Sequence, residues 1–279
     1  MSNPGPTISV SVDLTNPGQF FACCGLLELA DRLCPDSRVQ GAFRDGFFQL
    51  WMDTTDCSLK RLIQQFVEAE VVELDIDDKA ASPLRLGGCF GLRLDWWKRI
   101  ELPDKTPVNL GGGDQLKSWA GKQFGPMIFR RMKSACVDID VKAPFDDARA
   151  VYDNKNGKAK GKTISPFYFD SRREETSQDI GFSPDEQGMS VMVYPAVESL
   201  ALVGLQRFRP IAIADESKAR REFLYTAWSD PLPLSIAMAA ASHFLPVRLC
   251  GTFRFTKPSR GGEYLTMFSR AKRERNDHV

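Results

Sequence analysis

The residues ISVSVDLTNPGQFFACCGLLELADRL, from Ile8 to Leu33, change hydrophobic period once, and that change sets how the fold must begin. Ile8, Val10 and Val12 alternate with Ser9, Ser11 and Asp13, the two-residue period of a half-buried strand. Thr15 or Asn16 then offers a side-chain oxygen to cap a helix, and Pro17 suits its first turn. Beyond it Phe20, Cys24 and Leu27 recur at helical spacing on one face. Cys23 and Cys24 are small and apolar, and Gly25 permits close backbone approach. Adjacent cysteines bridge poorly, and no basic residue stands near enough in the sequence to lower a thiol pKa. The pair reads as helix packing, not as a thiol centre.

Phe43, Phe47, Phe48, Leu50 and Trp51 flank Asp45-Gly46, the signature of a tight hairpin. A second helix is predicted from Asp56 to about Ala69, with Leu59, Leu62, Ile63 and Phe66 at helical offsets. Strand, helix, strand, strand, helix is most of a ferredoxin-like unit. LRLGGCFGLRLDWWKRI reads as another hairpin. Gly111 to Gly113 leads into DQLKSWAGKQFGPMIFRRMKSA, helical on both sides of an interruption at Gly125-Pro126.

The second half echoes the first. MSVMVYPAVESLALVGLQRFRP, Met189 to Pro210, alternates and then turns helical, and its Ala201 to Leu205 aligns with Ala22 to Leu26. Leu202 and Val203 fall where the cysteines sit, which again marks those positions as packing sites. The closing segment reads as a hairpin around Gly261-Gly262. The predicted class is α+β, built from one ferredoxin-like (RRM/RAMP-like) strand-helix unit or two, with long basic insertions. The predicted organisation is an N-terminal half over 1–150, a flexible basic loop over 151–165 and a C-terminal half over 166–279.

With 279 residues, 43% of them hydrophobic, the chain can bury a full core. A net charge of +1 excludes a global field that would draw it to nucleic acid, so any basic surface is local. No apolar run reaches a membrane span, and the first ten residues lack the basic and apolar regions of a signal peptide. Seven cysteines without regular spacing point to a reducing compartment, and a cytoplasmic location is expected. His243 and His278 are the only histidines, which leaves little material for a His-dependent triad or a two-histidine metal site. His243 is expected in the last turn of a helix, against its carbonyls. There is no Cys-x-x-Cys pair, and NLGGGDQLKSW lacks the Lys-Ser pair of a nucleotide-binding loop. No catalytic residue, metal or cofactor is predicted.

Charge is concentrated in two tracts. From Arg149 to Lys162 stand Arg149, Lys155, Lys158, Lys160 and Lys162 against Asp153 alone, with Gly157 and Gly161 between them. Such a segment is either a solvated loop or a basic finger for phosphates; aromatic Phe167, Tyr168 and Phe169 with Arg172 and Arg173 downstream favour the second use. The second tract holds Arg254, Lys257, Arg260, Arg270, Lys272, Arg273 and Arg275 against Glu263 and Glu274. A nearly neutral chain with two basic tracts is polarised, as befits contact with nucleic acid on one side and protein on the other. In the block SPFYFDSRREETSQDIGFSPDEQG, Asp170, Glu174, Glu175, Asp179, Asp185 and Glu186 would be the material for a two-metal nuclease. Arg172 and Arg173 among them point instead to neutralised acids, with the arginines paired structurally or presented to phosphate.

The stretches TNPGQFFACCGLLELADRL, SPFYFDSRREETSQDIGFSPDEQG and ESLALVGLQRFRP together resemble the smaller Csb family of type I-U (I-G) CRISPR systems. That family is regarded as a large-subunit counterpart in the RNA-guided, Cascade-type surveillance complex of antiviral defence. The resemblance implies a non-catalytic subunit that lies beside the guide RNA near its 5′ end and engages target double-stranded DNA and its adjacent motif. Its neighbours would be the backbone and 5′-handle subunits, and a recruited helicase-nuclease would cut. Candidate nucleic-acid contacts are Lys155, Lys158, Lys160, Lys162, Arg172, Arg173, Arg260, Arg270 and Lys272. The alternative is a ferredoxin-like guide-RNA-processing endoribonuclease acting through Lys, Tyr or Ser.

Overall fold

A computed structural model of the chain describes residues 5–54, 56–74, 82–98, 100–101, 107–108, 113–119, 123–152, 163–172, 192–213, 222–245, 247–258 and 266–274. Strand β1 (Ile8–Ser11) buries Ile8 and Val10 and exposes Ser9 and Ser11, as its alternation predicts. Helix α1 (Pro17–Leu33) starts where Asn16 accepts a hydrogen bond from the Gln19 amide, with Pro17 in the first turn. Strands β2 (Gln40–Arg44) and β3 (Phe47–Trp51) form the hairpin, and Asp45 and Gly46 supply the two positive φ angles, 50° and 79°, that its tight turn demands. Helix α2 (Leu59–Glu68) is capped by Ser58 and buries Leu62, Ile63 and Phe66.

Strands β4 (Val71–Glu73), β5 (Leu84–Leu86) and β6 (Leu92–Leu94) make a small antiparallel sheet, with Gly88 and Gly91 at positive φ between the last two. Short strands β7 (Ile100–Glu101) and β8 (Pro107–Val108) pair, and helix α3 (Gly113–Leu116) follows. Helix α4 (Gly125–Ser134) begins at the Gly125-Pro126 step, so the predicted interruption is a helix start. Strand β9 (Arg149–Ala150) pairs with β10 (Met192–Val193).

Helix α5 (Pro195–Gly204) follows β10 directly. Strands β11 (Ile211–Ile213) and β12 (Glu222–Trp228) precede β13 (Leu232–Pro233), helix α6 (Leu234–Ala241), β14 (Leu249–Thr256) and β15 (Lys272–Arg273). The larger sheets are antiparallel, in the orders β1-β3-β2-β13 and β11-β12-β14-β15. The chain is therefore a mixed α+β protein. Strand β13 completes the first sheet from the far end of the sequence, so the N- and C-terminal halves share one core. Gly261-Gly262 of the predicted closing hairpin lies outside the described residues.

Helix α1 differs from its sequence reading in one respect. It is buried from Pro17 to Ala30 on every side, not along a single face. Phe20 stacks on Phe43 of the first sheet and on Tyr225 of the second, and another face of the helix meets α5. A helix enclosed in this way reads as apolar all round, which blurs the one-sided period expected of a surface helix. Cys23 and Cys24 are fully buried, and burial raises both thiols well above their ordinary pKa. Tyr225 donates its hydroxyl to the Leu14 carbonyl (2.6 Å) and Trp228 its indole N–H to Gly41 (2.7 Å), so these two buried aromatics find polar partners across the halves. His243 follows α6 at φ 57°; its ring Nδ1 faces the Thr226 hydroxyl (3.2 Å) rather than helix carbonyls.

Candidate nucleic-acid interface

Arg172 lies in a network that joins the N-termini of α1 and α5. Its guanidinium binds both oxygens of Asp170 (2.6–3.2 Å), reaches Asp146 (2.9 Å) and the Phe145 carbonyl (2.6 Å), and lies 3.3 Å from the Tyr194 ring centroid. Asp170 is 1% exposed; it also accepts from the Asn16 amide (2.8 Å), while Asn16 takes the Ser171 N–H. Buried Glu198, in the first turn of α5, accepts the N–H groups of Phe169 and Asp170. Burial opposes the Arg172 charge, but the hydrogen bonds it donates to Asp170, together with the charges of Asp170, Tyr194 and Asp146, outweigh burial and hold the pKa above the usual arginine value. This arginine clamps three chain segments together. Of the two uses open to it from sequence, the geometry corresponds to ion pairing.

The other predicted contacts separate in space. Arg270 is half exposed, bonded to Asp13 (2.9 Å) and the Thr15 hydroxyl (3.1 Å). Lys272 is exposed on β15, the edge strand of its sheet. Arg254 is held between Glu222 (2.9 Å) and Glu274 (2.7 Å). Lys155, Lys158, Lys160, Lys162, Arg173 and Arg260 lie outside the described residues, as do Glu174, Glu175, Asp179, Asp185 and Glu186. Among the described residues, no group of three or more His, Cys, Asp or Glu is placed to hold a metal ion.

A basic cluster missed from sequence forms where the two large sheets meet. Register shifts between Ala227 and Trp228 against β14, so Cys250 is the extra residue of a β-bulge. Its thiol donates to the Phe43 carbonyl of β2 (2.8 Å). Arg273 lies across Gly251 and donates to the Cys250 carbonyl (2.6 Å); a Cβ at Gly251 would come within 2.8 Å of its Nε. Arg44 donates to the Ser229 carbonyl (2.7 Å), and Ser229 in turn donates to the Arg248 carbonyl (2.9 Å). Burial pushes the Cys250 thiol up, while Arg273, Arg44 and Arg248 pull it down against Asp45. None of these three arginines forms an ion pair with a described carboxylate. They come from positions 44, 248 and 273; only Arg273 belongs to a basic tract of the sequence, and the bulge and the sheet contact bring Arg44 and Arg248 to it.

Comparison with protein-family models, curated proteins and solved structures finds no match to this chain.

Proposed function

We propose that this protein is a non-catalytic RNA- and DNA-binding subunit of a type I RNA-guided surveillance complex, contacting guide RNA and target DNA in antiviral defence. The observation that carries the binding reading is the convergence of Arg44, Arg248 and Arg273 with no described carboxylate to pair them. Like charges gathered in this way repel one another, and a polyanion is the partner that relieves the repulsion. Lys272, exposed on the same edge strand as Arg273, and Arg270, bonded to Asp13, are assigned to the same function from the sequence. The basic segment from Lys155 to Lys162, with Arg173 and Arg260, is assigned to the same function from its composition. Arg172 acts here as a positioning residue.

The order β1-β3-β2, with α1 connecting the first two strands, supports a ferredoxin-like start to the fold. The strand after α2 joins a separate sheet, so the unit is an incomplete one. The proposed partners are guide RNA, target duplex, backbone and 5′-handle subunits and a recruited helicase-nuclease, in the cytoplasm. In such an assembly base pairing by the guide supplies sequence specificity, and protein contacts to phosphate set position. The test is to incubate the purified chain with labelled repeat RNA and target DNA plus magnesium. Binding without cleavage is expected. Site-specific RNA cleavage, abolished by a point change in this chain, would establish the endoribonuclease instead.

A further inference from the structure

The outer face of the first sheet carries a second feature beside the arginines. Phe48 and Leu50 of β3 point into the core, so Phe47 and Gln49 lie on the other face, together with Trp51, which is half-buried and packs against the core. Phe47 is 43% exposed, an unusual position for a large aromatic on a sheet whose other face is fully buried. Its cross-strand neighbours are Ser11 on β1 and Arg44 on β2, both registered directly opposite. The Arg44 guanidinium lies 5.1 Å from the Trp51 ring centroid, which steers its charge along the same face. One of the three converging arginines therefore belongs both to the aromatic face and to the cationic cluster.

We propose that this face binds single-stranded nucleic acid, with a base stacked on Phe47 and the adjoining phosphates held by Arg44, Arg248 and Arg273. The inference rests on the nucleic-acid reading above and narrows it to the strand state of the ligand. A duplex hides the faces of its bases inside the stack, whereas an unpaired base can lie flat on an exposed ring. An apolar protein partner would gain nothing from three guanidiniums that outnumber Asp45 and form no ion pair with a described carboxylate; a phosphodiester chain satisfies ring and charges together. Stacking tolerates any base, so the site is expected to be indifferent to sequence.

The experiment compares the full chain with its Phe47→Ala, Phe47→Tyr and Arg248→Ala variants, using fluorescein-labelled oligouridine and a labelled DNA duplex at several salt concentrations. Phe47 and Arg248 are both exposed, and circular dichroism checks that each variant folds. Phe47→Ala is expected to weaken oligouridine binding by at least about five-fold, the low end for losing one stacked base, with an unchanged salt slope and unchanged duplex binding. Phe47→Tyr keeps the ring and should restore affinity. Arg248→Ala should flatten the salt dependence for both ligands. Equal oligouridine affinity for wild type and Phe47→Ala, beside a weakened Arg248→Ala, overturns the stacking site and leaves the phosphate reading standing. Failure of the wild-type chain to bind either ligand overturns both.

Discussion

Gly25 of α1 and Gly204 of α5 meet backbone to backbone. A Cβ on Gly204 would lie 2.8 Å from the Gly25 amide nitrogen and overlap the Phe21 carbonyl; a Cβ on Gly25 would lie 3.2 Å from the Gly204 nitrogen and overlap the Leu200 carbonyl. Each clash falls on the carbonyl four residues before the opposite glycine, so the helices cross in a two-fold-like manner. Three residues further on, buried Glu28 of α1 reaches Arg207 beyond α5 (3.3 Å) as well as Arg32 (2.6 Å).

Gly204→Ala should therefore destabilise. Alanine gains about 1 kcal/mol over glycine in an open helix, but here the added methyl meets backbone, which cannot yield as a flexible side chain can. A net loss of about 1–3 kcal/mol is expected in urea denaturation, and the same for Gly25→Ala. Equal or greater stability in either variant would mean the helices do not touch at these residues.

The aligned Ala-x-x-Gly-Leu segments of the two helices foreshadow this crossing, since a glycine at each matched position is what close approach needs. Strand β1, the Asn16 cap and the Asp45-Gly46 turn are equally local, set by side-chain period, one capping oxygen and two positive φ angles. The missed features are non-local. Nothing near Leu232 signals that it pairs with Gly41, and Arg44, Arg248 and Arg273 become neighbours only through a bulge that turns Cys250 toward β2. Arg172 was ambiguous for the opposite reason: its composition fits phosphate or carboxylate, and burial of Asp170 decides what it holds.

Removing Arg172 should unsettle the fold before it affects binding. Arg172→Ala leaves Asp170 buried without its counter-charge, at an expected cost of about 3–5 kcal/mol. In the Asp170→Asn background the same change should cost much less, and a double-mutant cycle measures that coupling. Additive effects in the cycle, with binding lost at full stability, would assign Arg172 to the ligand.

Cys23 and Cys24 should resist a thiol reagent in the folded protein, while exposed Cys89 reacts readily. Replacing the pair by Ala and Val should cost roughly 1–2 kcal/mol from altered packing and leave nucleic-acid binding intact. Peptide mapping after brief native labelling checks the first point; prompt modification of Cys23 or Cys24 would contradict it.

Lys133 of α4 is buried and donates to the Phe66 and Val67 carbonyls near the end of α2. Burial lowers its pKa from 10.5 to about 8, against a smaller opposing pull from Cys136. The folded chain releases this proton earlier than the unfolded one, so between about pH 8 and 10.5 the unfolded state binds more protons and stability gains from rising pH. Below pH 8 the buried charge contributes its full penalty. The stability difference between wild type and Lys133→Met should accordingly shift in favour of wild type across that window, on the order of 1–3 kcal/mol. A difference independent of pH would show that the lysine titrates normally.

The central claim is that Arg44, Arg248 and Arg273 form a surface for the phosphates of nucleic acid. It is tested most directly by the dependence of log K on log salt for single-stranded RNA, in wild type and in the variant carrying Arg44→Gln, Arg248→Gln and Arg273→Gln. Each phosphate neutralised on a single strand contributes about 0.7 to the slope. A folded triple variant should bind more weakly and lose about two from the magnitude of the slope. Identical affinity and identical slope in the two proteins would contradict it.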